Sequence, residues 1–569
     1  MLVNCNRIQK SQIKHDDMST ITLRQALGVL AKSSPFSVST VSERPKDIYD
    51  ELKAYLYVEQ DIEKDFKKLL TSLRGNEVIF LCGSSGDGKS EILTRAYETY
   101  HNKFRFHLDA THSFQPHQSA IEALDQLFDE AIADPRPLVL GINIGMLANF
   151  AKEGASRHHY IRTVIEGFLE RGYRSFDRDD DSCAFERFHF LDFEQYPKFQ
   201  FSQDAEGYSE FVRHLFSRLT QQDDSNLFYL LAKPQMQSGA DAQVLANYRL
   251  LAMPSVQEVI ITNLFKARLY KDQFVTTRAL LDLLHHLLLG PGYLFDNLFS
   301  GSDNELVARL EEFDPALLHT RALDQFVLRY ELALPDPELD AFLQTLAELG
   351  IHFSAERETA GEAASMIRLF YLLQHQSLGN DYHQQFSADF AESLLNSYAQ
   401  VWMQHSDYDG SNERKLALRP FYMNELISAV FRYANRNAPE LEKGEWFLGQ
   451  FGSVKLAASI TIKADFTRVH FERVEKVSQF QTFIKVADRQ GEYELKPIAI
   501  NLNLFELIWR LNRGYCPNKY DKNAIVLLDE IVDQISEVAR RSPILKFYES
   551  GKSYSASLDD GMIAVSGVI

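Results

Sequence analysis

Residues 78–82, V-I-F-L-C, form an unbroken apolar run, and Gly83-Ser84-Ser85-Gly86-Asp87-Gly88-Lys89-Ser90 follows it at once. A short apolar run that breaks directly into glycines reads as a buried strand, and S-E-I-L-T-R-A-Y-E-T-Y after the loop carries helical spacing. The eight loop residues fit G-x-x-x-x-G-K-[ST] between a strand and a helix, the context in which that pattern has a mechanism. Glycines let the chain curl so that successive amides face phosphate, and the helix start adds partial positive charge. The expected phosphate-binding residues are therefore Gly83, Ser84, Ser85, Gly86, Asp87, Gly88, Lys89 and Ser90, with Glu91 next in the helix. Lys89 is expected to reach the β- and γ-phosphates of a nucleoside triphosphate, and the Ser90 hydroxyl to ligate Mg²⁺.

Beyond the loop, F-R-F-H-L-D, S-A-I-E-A-L-D-Q-L-F-D-E-A-I and P-L-V-L-G-I-N continue as strand, helix and strand, with F-H-F-L-D-F-E as a further strand. Strands alternating with helices imply a parallel sheet covered on both faces, so the predicted fold class is an α/β P-loop NTPase domain. Helical period fills Thr20 to Leu30 and Ile48 to Leu73 before the loop, and nearly all of Tyr208 to Val430 after it. β-Branched alternation returns beyond Phe451 in V-K-L-A-A-S-I-T-I-K, T-F-I-K-V and Y-E-L-K-P-I-A-I. The expected organisation is an extension and helical prefix (1–47), the NTPase core (48–205), a helical lid (206–335), a helical domain (336–450) and a C-terminal α+β module (451–569). Residues 177–182, D-R-D-D-D-S, read as a solvated acidic loop.

Charge and cysteine usage narrow the function classes. Sixty Lys and Arg against 79 Asp and Glu give a net charge of −19, which opposes broad attachment to nucleic acid or anionic lipid. Cys5, Cys82, Cys183 and Cys516 form no CxxC pair, so neither a disulfide framework nor a zinc site is indicated and a cytoplasmic location is expected. The start lacks the apolar core of a signal peptide, and L-L-D-L-L-H-H-L-L-L-G from Leu280 falls short of a bilayer span and reads as a buried helix. No membrane attachment is expected.

Triphosphate hydrolysis also requires a carboxylate near the metal, and several strings compete. A-I-V-L-L-D-E-I at 524–531 is the closest match to a strand ending in Asp529-Glu530, but Ile525, Leu528, Ile531, Val532, Ile535 and Val538 mark one face of a helix. Asp109 ends F-R-F-H-L-D soon after the loop and is the expected catalytic and metal-shell residue, with a helix-capping aspartate as the alternative. Asp192 and Glu194 lie in a further strand tip. Asn143 ends P-L-V-L-G-I-N and suits contact with γ-phosphate or the attacking water, or simple loop capping. Arg278 in F-V-T-T-R-A-L-L opens a helix and can reach a triphosphate in cis or in trans, or remain a surface arginine; Arg249 and Arg321 have weaker claims. His158-His159 and His285-His286 lack acidic partners at ligand spacing and read as structural.

G-S-S-G-D-G-K-S, H-L-D-A-T-H-S-F-Q-P, L-V-L-G-I-N-I-G-M-L-A-N-F, F-H-F-L-D-F-E-Q-Y-P, T-T-R-A-L-L-D-L-L and L-I-W-R-L-N-R-G-Y-C-P-N occur in this order. Together they resemble the DptF family of bacterial DNA phosphorothioation-dependent restriction proteins, from about Met18 onward. The resemblance implies an ATP-binding component of a defence complex that attacks DNA lacking phosphorothioate marks, acting with two sister restriction proteins. The net charge of −19 leads to the expectation that DNA is contacted through those sister proteins. The resemblance assigns no nuclease site, and no acidic or histidine cluster in the sequence is arranged for phosphodiester cleavage. A weakly hydrolysing ATP-binding scaffold that assembles partners is the alternative, and the oligomeric state stays open.

Overall fold

Strand β1 (Val78–Cys82) is buried at every position because the sheet around it is covered on both sides. It pairs in parallel with β3 (Leu138–Ile142) and with β4 (Phe188–Asp192), while β2 (Arg105–His107) adds to the far edge of β3, giving the order β2-β3-β1-β4. Val78, Phe80 and Cys82 face one layer, built with Leu124 and Phe128 of α4 (Ala120–Ala133), Phe150 of α5 (Ile144–Glu153) and Ile165 of α6 (His159–Arg171). Ile79 and Leu81 face the other, with Phe66 of α2 (Asp61–Ser72) and Leu93 of α3 (Lys89–Tyr100). The strand is continuously apolar because both of its faces are interior.

The computed structural model describes residues 21–31, 47–73, 75–108, 118–171, 187–202, 207–271, 275–354, 361–391, 393–472, 475–487, 491–518, 521–549, 552–559 and 562–568. The start up to residue 20, the acidic run 177–182 and Asp109 lie outside them.

The chain divides into two compact units. The first holds residues 1–199, 209–264 and 274–391, which contain the parallel sheet and most of the long helical region; among its helices are α7 (Glu210–Thr220) and α8 (Thr277–Leu289). The second holds residues 200–208, 265–273 and 392–569. It carries an antiparallel five-stranded sheet of β5 (Glu445–Phe451), β6 (Val454–Ser459), β7 (Ile544–Glu549), β8 (Lys552–Asp559) and β9 (Met562–Val568), in the order β9-β8-β7-β6-β5. Helix α9 (Lys522–Ala539) packs on that sheet, where the indole N–H of buried Trp446 donates to Ser536 Oγ at 2.9 Å. Among the described residues, no helix is long and apolar enough to cross a membrane.

Two local features depart from the sequence reading. The periodic stretch from Ile48 to Leu73 is two helices, α1 (Ile48–Leu56) and α2, with Tyr57 extended at φ −62° and ψ 127°. The Tyr57 hydroxyl donates to Glu63, and the Arg95 guanidinium lies 3.5 Å from the Tyr57 ring centroid. The segment whose spacing would continue is thus interrupted at a residue that packs against α3. His158, expected to lack acidic partners, lies 3.2 Å from Asp129 Oδ1 and 3.8 Å from Asp125 Oδ1. Both carboxylates come from α4, about thirty residues earlier, a distance that local spacing does not register.

Candidate functional site

The carboxyl ends of β3, β1 and β4 lie side by side, the edge at which open parallel sheets gather ligands. The register aligns Cys82 with Ile142 on one side and with Asp192 on the other. The chain then turns through Gly83–Gly88 into α3, with the Gly83 N–H donating to the Ile142 carbonyl at 3.3 Å. Gly86 and Gly88 adopt φ +86° and +104°, in the left-handed region that favours glycine. Gly83 is required for space: a Cβ there would sit 2.8 Å from both Asp87 Oδ2 and Phe193 Cδ2.

The carbonyls of Gly83, Ser84, Gly86 and Asp87 in this turn each accept a hydrogen bond. Lys89 Nζ donates to the carbonyls of Gly83 (3.0 Å) and Ser84 (2.6 Å). The Arg278 N–H donates to the Gly86 carbonyl at 3.1 Å, and the Thr277 hydroxyl to the Asp87 carbonyl at 3.1 Å. The start of α8 is thus docked on the turn, with the Thr276 hydroxyl capping its own helix through the Ala279 N–H. The N-terminus of α3 has Gly88 as its cap residue and receives no side-chain cap. First-turn amides without such a cap are suited to an anion.

Of the predicted site residues, Gly83 and Asp87 are buried, Ser84 and Ser85 exposed, and Gly86, Gly88, Lys89 and Ser90 half-buried. Glu91 is engaged by Arg95 Nε at 2.9 Å and stands 3.7 Å from Lys53 Nζ. Asn143 directly follows the residue that pairs with Cys82, and its Oδ1 accepts the Met146 N–H at 2.8 Å, capping α5. Arg278 meets the turn through its backbone. Arg249 donates to the Leu349 carbonyl at 3.2 Å, and exposed Arg321 opens the helix Arg321–Glu331. Asp529 and Glu530 lie exposed on α9 in the second unit, where Asp529 accepts from the Tyr433 hydroxyl at 2.8 Å. Their string is a helix, as its spacing predicts.

Asp192 is fully buried at the tip of β4 and accepts the Glu194 N–H at 3.0 Å. Burial, with Asp192 adding to it and Lys89 opposing it, pushes the Cys82 thiol well up, so Cys82 is a neutral wall of the site. Three contributors were not apparent from the sequence: Thr276 and Thr277, whose signal is the T-T pair ahead of a helical run, and Lys198, whose side chain reaches Asp87 from a segment with no motif. Among the described residues, no three His, Cys, Asp or Glu side chains form a group arranged to hold a metal. The chain matches no protein-family profile, no curated protein and no solved structure.

Proposed function

We propose that this chain is the ATP-binding subunit of a phosphorothioation-dependent DNA restriction complex and hydrolyses ATP to drive conformational change. The observation that carries the nucleotide part is the turn between β1 and α3. Its carbonyls are bound by Lys89 from within the loop and by Thr277 and Arg278 from α8, and it leads into a helix start that has no side-chain cap. The left-handed glycines and the crowding at Gly83 fit a backbone shaped to wrap a polyphosphate. Lys89 would leave its two carbonyls to bind the β- and γ-phosphates, and Ser90, second in α3, would supply a hydroxyl to Mg²⁺. The ion, when bound, offsets charge on the β- and γ-oxygens. Because α8 is hydrogen-bonded to the same turn, movement of the loop on binding or release passes to the helical region. The restriction setting rests on the family resemblance.

A second reading, an ATP-binding scaffold with little turnover, is favoured by the burial of two carboxylates beside the turn. Asp87 and Asp192 are fully buried and accept backbone N–H groups, whereas a metal-shell or water-polarising acid must face the nucleotide. ATP turnover by the purified chain, with and without DNA and the sister proteins, separates the two. Asp109→Asn is expected to lower Mg²⁺-dependent turnover by about 100-fold if it supplies the metal shell, whereas Asp529→Asn and Glu530→Gln should leave turnover within about twofold, as exposed residues generally do. Loss of turnover with Asp529→Asn, binding intact, would make the chain's distal acids part of its site.

The net charge of −19 gives a separate expectation about DNA. Few duplex phosphates can be neutralised by the isolated chain, so little counterion is released and binding at physiological salt should be no tighter than about 1 μM. Titration of labelled duplex, marked and unmarked, at several salt concentrations tests this, first with the chain alone and then with the sister proteins. Nanomolar, steeply salt-dependent binding by the chain alone would make it the DNA-engaging subunit.

A further inference from the structure

Behind the glycine-rich turn lies a buried pair of opposite charges. Asp87 is fully buried between the two left-handed glycines, and its Oδ2 accepts the Ser84 N–H at 2.5 Å, closing the turn across its base. Its Oδ1 is also buried and accepts no hydrogen bond among the described residues. Lys198 Nζ stands 3.8 Å from that oxygen, on a side chain that is only 7% exposed. The ammonium passes 5.6 Å from the Phe193 ring centroid and 5.9 Å from that of Phe211. Its backbone is fixed as well, since the Lys198 carbonyl accepts the hydroxyl of Ser209, the buried cap residue of α7. Gly83 admits the arrangement, because any Cβ there would strike Asp87 or Phe193.

A carboxylate is an unfavourable component of a loop meant for a polyanion. Its negative charge repels phosphate, and burial in a poorly screened interior magnifies the effect. Asp87 nevertheless does what a neutral side chain of other shape cannot, by reaching back to the Ser84 amide. Burial acts most strongly on Asp87 and raises its pKa above the ordinary carboxylate value, while Lys198 and Lys89 favour its ionised form and Glu194 opposes it. Burial likewise lowers the pKa of Lys198, with Asp87 opposing that shift. Lys198 is held on the interior side while Lys89 bonds the loop's carbonyls, so one cation is committed to Asp87 and the other remains for a ligand.

We propose that Asp87 and Lys198 are a positioning pair for the nucleoside triphosphate. The carboxylate fixes the curl of the turn, and the buried ammonium cancels its charge so that the ligand meets amides and Lys89 alone. This rests on the triphosphate reading above. The test measures two quantities on the full chain: amide exchange of peptides covering residues 83–90 without nucleotide, and the Kd for MgATP.

Breaking a buried pair from one side is strongly unfavourable, so Lys198→Met should speed exchange in the loop and weaken MgATP binding, each by about tenfold or more. Asp87→Asn/Lys198→Met keeps an acceptor for Ser84 and removes both charges, and is expected to return both quantities to within about threefold of the original. A side chain that merely fills space predicts no such rescue. Should Lys198→Met fail to fold, folding of the double variant is the same rescue. The pair is overturned if loop exchange is unchanged in Lys198→Met, or if the double variant is no better than the single. If the unaltered chain binds no MgATP while the exchange results hold, the nucleotide reading falls and the bracing of the turn stands.

Discussion

Lys89→Ala is expected to abolish tight MgATP binding and, with it, restriction in cells carrying the sister proteins, while the chain remains folded. Lys89 holds the carbonyls of Gly83 and Ser84, so its ammonium already lies inside the turn it would serve. Exchanging two carbonyls for phosphate oxygens converts charge–dipole contacts into a charge–charge contact. Loss of that contact costs about 1.5–3 kcal/mol or more, a Kd roughly 10- to 150-fold weaker. Folding should change little, because Lys89 is half-buried and water can reach the two carbonyls it leaves. Calorimetric titration with MgATP, beside a thermal melt of the same sample, reads both quantities. Unchanged affinity in a folded Lys89→Ala chain would remove the assignment of the turn to nucleotide.

What the sequence made legible follows from how local each feature is. The strand, the turn and the helix from Val78 to Tyr100 are specified by neighbouring residues: five apolar side chains, glycines at the two left-handed positions, then helical spacing. Helix α9 was legible for the same reason, since its apolar spacing outlasts a strand and separates Asp529-Glu530 from the apparent strand-end motif. Asn143 was legible as far as its place at the tip of β3, and the structure shows its side chain capping α5. Features that depend on distant partners were not legible. Asp87 reads as one more loop residue, and only the fold shows its carboxylate turned inward towards Lys198, more than a hundred residues away. Tyr57, at the break, meets Arg95 of α3, and the environment of His158 includes Asp125 and Asp129. Long-range pairing of this kind leaves no periodic trace, because the side chain concerned satisfies a partner rather than a pattern.

Phe80→Ala tests the layer beneath the site. Phe80 is fully buried at the centre of β1, stacked on Phe190 of β4 with centroids 4.8 Å apart and planes at 7°. Phe190 stacks in turn on Phe168 of α6 at 4.2 Å, and Phe80 also meets Phe128 of α4 at 6.2 Å. This aromatic column ties β1 to β4 and to the helices over one face, so truncation leaves a cavity that the neighbouring rings can fill only by separating from their own partners. Such a change costs about 3–5 kcal/mol, against the roughly 5–15 kcal/mol that holds a domain together. A single global transition is not assumed for a chain of two compact units, so the effect is best read by hydrogen exchange in increasing urea. Peptides from β1, β3 and β4 should lose protection at markedly lower urea than in the unaltered chain, while peptides from β5 to β9 keep theirs. Equal loss in both sets would mean that the two units unfold as one, and no loss in the first set would show that the aromatic column does not hold the sheet.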